Sequence, residues 1–120
     1  MKLSMAVSAM LLALTLPAQA SDADWTAPAA PFRIAGDIYY VGTKGIASYL
    51  IVSNRQAILL DVGLEQNAPL VERNIAALGF KLSDVKIILN SHAHFDHAGG
   101  IARLKRDTGA KLYASPGDRW

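Results

Sequence analysis

The feature that most constrains the fold of this chain is a pair of aliphatic segments separated by only two residues. Residues 46–53 and 56–60 flank the dipeptide Asn54-Arg55, and so short a connection predicts an antiparallel hairpin with a tight turn. Both segments are rich in Ile, Leu and Val, which is typical of strands buried within a sheet. A fold built around this hairpin therefore needs packing partners on both faces of its sheet.

Further strands are predicted on either side of the hairpin. A strand over residues 37–41 precedes it, and strands over residues 85–89 and 111–114 follow it. The order is a β-meander followed by alternating helix and strand. This order predicts an α/β fold with a mixed β-sheet and covering helices on one face.

The two predicted helices are delimited by residues that favour helix ends. Asn67 is expected to cap the first helix, with Pro69 in its first turn and Gly79 at its end. The second helix is expected to begin at Gly99-Gly100 and to close at Gly109.

The opposite face of the predicted sheet has no predicted cover. Only a Ser115-Pro116-Gly117 turn and three more residues follow the last strand, whereas an aliphatic sheet needs packing on both faces. We therefore expect residues 37–120 to be the N-terminal, incomplete part of a domain. A lead-in segment over residues 21–36 precedes it, in which Trp25 either packs on the core or borders a ligand cleft.

Residues 1–20 have the features of a secretory signal peptide. Lys2 supplies a positive charge, residues 3–16 are mostly apolar, and Ala18-Gln19-Ala20 offers the small residues that signal peptidase requires. The apolar stretch is short for a membrane span. We expect export to the periplasm or the medium with cleavage after Ala20, and no membrane contact in the mature form.

Composition excludes several classes of function. The chain has no cysteine, which excludes disulfides, thiol catalysis and thiolate metal ligands. Its formal net charge of +2 is too close to neutral to indicate a nucleic-acid partner. The densest basic cluster, Arg103, Lys105 and Arg106, is expected to be the solvated face of a helix.

All three histidines fall within six positions, in the segment His92-Ala93-His94-Phe95-Asp96-His97. In nearly extended backbone His92 and His94 project to the same side, which suits two imidazoles on one metal ion. A bend would let Asp96 and His97 reach a second ion. We predict that these four residues bind zinc, which makes hydroxide available for hydrolysis by lowering the pKa of bound water to about 7. A surface loop with inert histidines is the alternative.

Asp61 is a further candidate, in the segment Leu59-Leu60-Asp61-Val62-Gly63. It follows a buried strand and could accept a hydrogen bond from a metal-bound histidine, which would fix the tautomer of that imidazole. It could equally be a turn or capping residue before Gly63. The sequence leaves both interpretations open.

These segments together resemble the metallo-β-lactamase superfamily. The pattern His92-x-His94-x-Asp96-His97 is similar to its signature motif, and residues 59–63 resemble its strand that ends in Asp-x-Gly. Residues 37–42 and 47–51 resemble its opening hairpin. Residues 91–100 look most like the third subclass of metallo-β-lactamases, as does Trp25-Thr26 soon after a leader.

The resemblance implies the N-terminal half of an αββα sandwich with two zinc ions. His92 and His94 would bind the first zinc, Asp96 and His97 the second, and Asp96 would be the catalytic carboxylate. The family completes each zinc site with a histidine from later in the chain, and no histidine follows His97. The 120-residue chain alone is therefore expected to bind zinc weakly and to have little or no activity.

The implied activity is zinc-dependent opening of the β-lactam ring of antibiotics, a small-molecule substrate, which confers antibiotic resistance. Two alternatives remain open. One is another hydrolase of the superfamily, a thioesterase of the glyoxalase II type or a lactonase, because the motif activates water without choosing the substrate. The other is a zinc-binding module without catalysis.

Overall fold

The computed structural model describes residues 22–118. The predicted signal peptide, residues 1–20, lies outside the described residues. Within residues 22–118 no helix has both the length and the apolar character needed to cross a bilayer.

The described chain forms one six-stranded mixed sheet whose strands lie in sequence order. Strands one to four pair antiparallel, and strands four to six pair parallel. The strands are β1 (Phe32–Ala35), β2 (Ile38–Tyr40), β3 (Tyr49–Ser53), β4 (Gln56–Leu60), β5 (Val85–Leu89) and β6 (Lys111–Tyr113). The predicted α/β fold with a mixed sheet is confirmed.

Helices occupy the two parallel crossovers, because a chain that re-enters a sheet in the same direction must cross one of its faces. Their bounds are α1 (Ala68–Ala77) in the first crossover and α2 (Phe95–Ala98) and α3 (Ile101–Thr108) in the second. Short 3₁₀ turns cover Glu65–Asn67, Leu82–Asp84 and Pro116–Asp118. The helix α2 was not predicted.

The predicted hairpin is present, and its turn has the expected geometry. Asn54 and Arg55 both have positive φ, 48° and 63°, which is the conformation of a two-residue hairpin turn that matches strand twist. β3 begins at Tyr49 rather than at residue 46, because Thr43 and Ile46 close a tight turn. In that turn the Thr43 amide donates to the Ile46 carbonyl at 2.9 Å, and the Thr43 hydroxyl accepts from the Ile46 amide at 2.9 Å.

The core lies between the helices and one face of the sheet. Leu50, Leu59 and Ile88 occupy one row across β3, β4 and β5 and are fully buried. Val71 and Ile75 of α1 and Leu104 of α3 belong to the same buried cluster. Helices therefore cover this face, as predicted.

The other face of the sheet is apolar and open within residues 22–118. Ile38, Ile51, Ile58 and Ile87 form a row across β2 to β5. Large side chains remain exposed along the strands, among them Ile38 at 41% and Leu89 at 39%.

The ends of α1 agree with the sequence prediction at two residues and depart from it at a third. Pro69 lies in the first turn and Gly79 follows the last turn with φ of 88°, both as predicted. Asn67 stands at the N-cap position, yet its side chain makes no capping hydrogen bond. Its Nδ2 instead donates to the carbonyl of Trp25 at 3.0 Å, so the predicted capping role is wrong.

The lead-in is part of the folded unit. Strand β1 lies within it and pairs with β2, although no strand was predicted there. The side-chain amide of Asn74 on α1 donates to the carbonyl of Ala29, which precedes β1. It also donates to the carbonyls of Val41 and Gly42, and the three distances are 3.0–3.2 Å. One buried side chain thus ties the lead-in, the β2–β3 connection and α1 together.

The basic cluster on α3 is not only a solvated face. Arg103 forms a bidentate pair with Glu72 of α1, with Nε–Oε1 and Nη2–Oε2 distances of 3.0 Å. This planar match is the geometry that arginine makes best with a carboxylate. It fixes how the two helices lie side by side on the sheet.

We predict that Asn74→Ala destabilises the folded protein by about 1–3 kcal/mol, because three carbonyls lose their donor, two of them in buried hydrogen bonds. The free energy of unfolding is measured by urea titration of the full chain. Arg73→Ala is the matched control, since Arg73 is the exposed neighbour on the same helix and should change stability by less than about 0.5 kcal/mol. Equal effects of the two substitutions would contradict the stabilising role of the Asn74 hydrogen bonds.

Candidate metal centre

The candidate residues meet at one edge of the sheet, where β4 and β5 end side by side. Asp61 directly follows β4, and Asn90 directly follows β5. Because the two strands are parallel, their carboxyl ends lie together, which is where open sheets commonly hold their sites. The Asp61 amide donates to the Leu89 carbonyl at 2.9 Å, so the sheet ladder itself continues into the site.

The histidine segment changes conformation halfway along, as the predicted bend requires. His94 is extended, with φ of −78° and ψ of 148°. The single turn α2 then begins at Phe95, and the His97 and Ala98 amides both donate to the His94 carbonyl, at 3.0 and 2.9 Å. This turn brings Asp96 and His97 back toward His92.

Three of the four predicted ligands lie together. One ligand atom each from His92, Asp96 and His97 can be chosen so that all lie within 4.8 Å of one another. The rings of His92 and His97 are 3.9 Å apart between centroids. His94 lies outside this group, although its ring centroid is only 4.7 Å from that of His92.

The carboxylate of Asp61 points into the histidine segment. Its Oδ1 accepts from the Ser91 amide at 2.7 Å, and its Oδ2 accepts from the Ser91 hydroxyl at 2.6 Å. The same Oδ2 lies 2.8 Å from Nδ1 of His97. Of the two interpretations left open by the sequence, the hydrogen bond to a histidine of the motif is the one that the geometry supports.

Asp61 achieves this orientation with an unusual backbone. Its φ is 55°, in the left-handed region that costs non-glycine residues roughly 1–3 kcal/mol. The side chain is also buried, with the residue 7% exposed. A strained and buried acidic residue of this kind persists only where its hydrogen bonds over-determine it.

The donor set suits a metal ion such as zinc. Because Nδ1 of His97 is engaged by Asp61, Nε2 is left free, and it lies 3.5 Å from Oδ2 of Asp96. Both side chains are 28% exposed, so an ion between them would be partly shielded from water. Imidazole nitrogen and carboxylate oxygen are ordinary zinc ligands, and the residues present therefore fit a metal.

Gly99 and Gly100 allow the segment to pack against the chain after β4. The Val62 amide donates to the His97 carbonyl at 3.0 Å, and the Gly100 amide donates to the Gly63 carbonyl at 3.1 Å. A Cβ on Gly99 would lie 2.7 Å from the Glu65 amide nitrogen, and one on Gly100 would lie 2.8 Å from the Val62 carbonyl. The close backbone approach predicted for this pair is confirmed.

Sequence reasoning missed three polar residues that hold the segment. Ser91 contacts Asp61, as described above. Asn90 donates through Nδ2 to the His92 carbonyl at 2.8 Å, and Asp118 accepts from the Ala93 amide at 3.3 Å. Ser91 and Asn90 adjoin the motif and could have been suspected on that ground, whereas nothing in the sequence connects Asp118 to Ala93.

Trp25 of the lead-in lies at the border of the site. Its ring centroid is 6.3 Å from that of Phe95 in α2. Its carbonyl accepts from the Thr43 hydroxyl and from the Asn67 amide, both at 3.0 Å. The packing interpretation of Trp25 is therefore confirmed, since it packs on the element that carries the motif, whereas its place beside a ligand cleft stays a prediction.

Comparison with known proteins gives matches along most of the chain. Residues 41–119 match the family model described as the metallo-beta-lactamase superfamily. Among solved structures, the Rm3 metallo-beta-lactamase is 52% identical with a TM-score of 0.78, and covers 80% of this chain and 36% of its own. The class B3 di-zinc metallo-beta-lactamase LRA-12 from an Alaskan soil metagenome is 50% identical with a TM-score of 0.79, over 84% of this chain and 38% of its own.

A relative with a different activity also matches. The hydroxyacylglutathione hydrolase of Pelagibacter ubique is 35% identical over 72 residues, which are 60% of this chain and 28% of that protein. This chain therefore spans well under half the length of the proteins that it resembles.

We predict that Gly99→Ala destabilises the protein by about 1–3 kcal/mol, the cost of overpacking a close contact. The backbone of Gly99 is helical, with φ of −59°, so alanine can adopt it without backbone strain. The loss of stability would therefore come from steric overlap of the added Cβ. Urea unfolding of the metal-free full chain measures it. Gly117→Ala is the control, because the nearest atom to its Cβ is 3.8 Å away, and an equal loss there would contradict the steric explanation.

Proposed function

Because this chain belongs to the metallo-beta-lactamase superfamily, which implies a metal centre, we propose that the whole protein is a zinc-dependent hydrolase that opens the β-lactam ring. The observation that carries the proposal is the grouping of His92, Asp96 and His97 with ligand atoms within 4.8 Å. Identity of about half to solved metallo-beta-lactamases over four fifths of the chain supports the choice of substrate class.

In this proposal His92 and His94 hold the first of two zinc ions, and Asp96 and His97 hold the second. His97 binds through Nε2, because its Nδ1 donates to Asp61 at 2.8 Å. Asp61 thereby fixes the orientation of an imidazole that binds metal, as carboxylates next to metal-bound histidines commonly do. A rotation of the His94 side chain, which is exposed, would complete the four-residue set.

Bound zinc would lower the pKa of water to about 7 and so supply hydroxide at neutral pH. The chain's own residues position this chemistry. Asp96 is the proposed catalytic carboxylate, because it is a ligand at the start of the short helix α2 and its side chain is still 28% exposed. The Trp25–Phe95 ring pair forms an apolar border beside it, which suits the apolar substituents of a small substrate.

A thioesterase of the glyoxalase II type is the second candidate. The match to a hydroxyacylglutathione hydrolase favours it, and the metal ligands would be equally suited to it. A zinc-binding module without catalysis is the third. These candidates differ in substrate and turnover and not in the metal site, so only an assay with several substrates separates them.

We predict that the whole protein hydrolyses a penicillin and a carbapenem faster than S-lactoylglutathione or a simple lactone. A chelator should abolish the activity and added zinc should restore it. His92→Ala, His94→Ala and Asp96→Asn should each lower kcat/KM by at least about 100-fold, which corresponds to roughly 2.7 kcal/mol of transition-state stabilisation. Hydrolysis rates with each substrate, and zinc content by mass spectrometry, are the measurements.

The control for these variants is Arg73→Ala, because Arg73 is exposed on α1 and is not among the candidate site residues, so this variant should retain full activity. Faster turnover of S-lactoylglutathione than of any β-lactam would replace the proposal with the thioesterase. Zinc uptake without turnover of any substrate would favour the non-catalytic module. A protein that takes up no zinc would overturn all three candidates.

We further propose that the protein is exported and processed, and that its β-lactam hydrolysis confers antibiotic resistance. The support is the leader-like sequence of residues 1–20 and not the fold.

We predict that the mature protein begins at Ser21 and is recovered from the periplasm or the medium. N-terminal sequencing of the fractionated protein measures this. Ala20→Arg should block cleavage, because signal peptidase needs a small residue there, whereas Gln19→Arg at the permissive middle position of Ala-x-Ala should not. A mature N-terminus at Met1 would contradict the proposal.

A further inference from the structure

The hydrogen bonds around Asp61 extend beyond His97 to a second imidazole. The hydroxyl oxygen of Ser91 lies 2.6 Å from Oδ2 of Asp61 and 3.1 Å from Nδ1 of His92. It is also 3.4 Å from Nδ1 of His97, which lies closer to the carboxylate itself. Ser91 therefore stands between the one buried acid of the site and His92, a residue that Asp61 does not contact directly.

Donor counting fixes the direction of each bond. A carboxylate offers only acceptors, and a hydroxyl has one hydrogen. Two oxygens 2.6 Å apart must share a hydrogen, so the Ser91 hydroxyl hydrogen is committed to Asp61. The contact between Ser91 Oγ and His92 Nδ1 then needs a hydrogen from the imidazole, which makes His92 the Nδ1–H tautomer.

The same count applies to His97. Its Nδ1 faces Oδ2 of Asp61 at 2.8 Å, and the carboxylate can only accept. His97 is therefore also the Nδ1–H tautomer. In both rings Nδ1 is occupied by these hydrogen bonds, so Nε2 is the atom left to bind a metal.

We propose that Ser91 is a positioning residue that relays the influence of the Asp61 carboxylate to His92 through a chain of two hydrogen bonds. One buried acid then sets the tautomer of both imidazoles, that of His97 directly and that of His92 through Ser91. The inference rests on the proposed function only for its consequence, zinc binding. In the proposed assignment His92 belongs to the first zinc and His97 to the second. Asp61 then acts on both metal sites, and the Ser91 hydroxyl acts on the first alone.

This arrangement also explains why the backbone of Asp61 is in the left-handed region. The left-handed φ of 55° turns the carboxylate so that Oδ1 meets the Ser91 amide and Oδ2 meets the Ser91 hydroxyl and His97. Charged acceptors make stronger hydrogen bonds than neutral ones. These three bonds stabilise a conformation that a non-glycine residue otherwise avoids.

The first test is the tautomer of each histidine in the zinc-free full-length protein, read from the nitrogen-15 chemical shifts of the two ring nitrogens. The wild type should show Nδ1–H for His92 and His97. Ser91→Ala should release His92 to a mixture of tautomers and leave His97 unchanged. Asp61→Asn should change both rings.

Ser91→Thr is the rescue variant, because it keeps the hydroxyl, and it should restore the wild-type tautomer of His92. Ser53→Ala, an exposed serine at the β3–β4 turn, is the control and should change neither ring. The second test is zinc affinity by competition with a chromophoric chelator. Ser91→Ala should weaken the first zinc by about 10- to 100-fold and spare the second, whereas Asp61→Asn should weaken both.

An Nε2–H tautomer for His92 in the wild type would overturn the relay, as would a Ser91→Ala protein with an unchanged His92. If Ser91→Ala fails to fold, the wild-type and Ser91→Thr spectra still decide the tautomer. A wild type that binds no zinc but shows both Nδ1–H tautomers would retain the relay and overturn the proposed function.

Discussion

The carboxylate of Asp61 is the interaction on which the site depends. It joins the end of β4 to the segment after β5 through two hydrogen bonds from Ser91 and one from His97. A buried carboxylate without such partners would be costly, since desolvation disfavours its charge. With them, it holds two otherwise independent stretches of chain at a spacing suited to a metal ion.

The rest of the fold provides the positions that this carboxylate connects. The parallel pairing of β4 with β5 aligns Leu60 with Leu89, so Asp61 and Asn90 leave the sheet side by side. Because Gly99 and Gly100 have no side chains, the segment after the histidine motif packs directly on the backbone that follows β4. Each level depends on the one before it. The aliphatic hairpin determines the sheet, the sheet determines which strand ends meet at its edge, and that edge determines the distances between the candidate ligands.

The sequence was sufficient where the signal was local and insufficient where stability came from distant partners. The Asn54-Arg55 hairpin and the glycine-terminated helices were predicted because turn and helix-end preferences are local. Strand β1 was missed because it lies at the edge of the sheet and depends on pairing with β2. The single turn α2 is too short to show periodicity, and Asn67 binds the distant Trp25 carbonyl instead of capping its own helix.

The candidate metal centre and the open face of the sheet share the same two strands. Leu60 and Leu89, the last residues of β4 and β5, point to the open face, and Leu89 is 39% exposed. The residue that follows each strand, Asp61 or Asn90, enters the site. Covering this face would bury apolar area worth roughly 25 cal/mol per Å² and would restrict fraying of both strand ends. Because the spacing of the candidate ligands depends on those ends, cover on the open face and a metal bound at the edge would stabilise the same folded state.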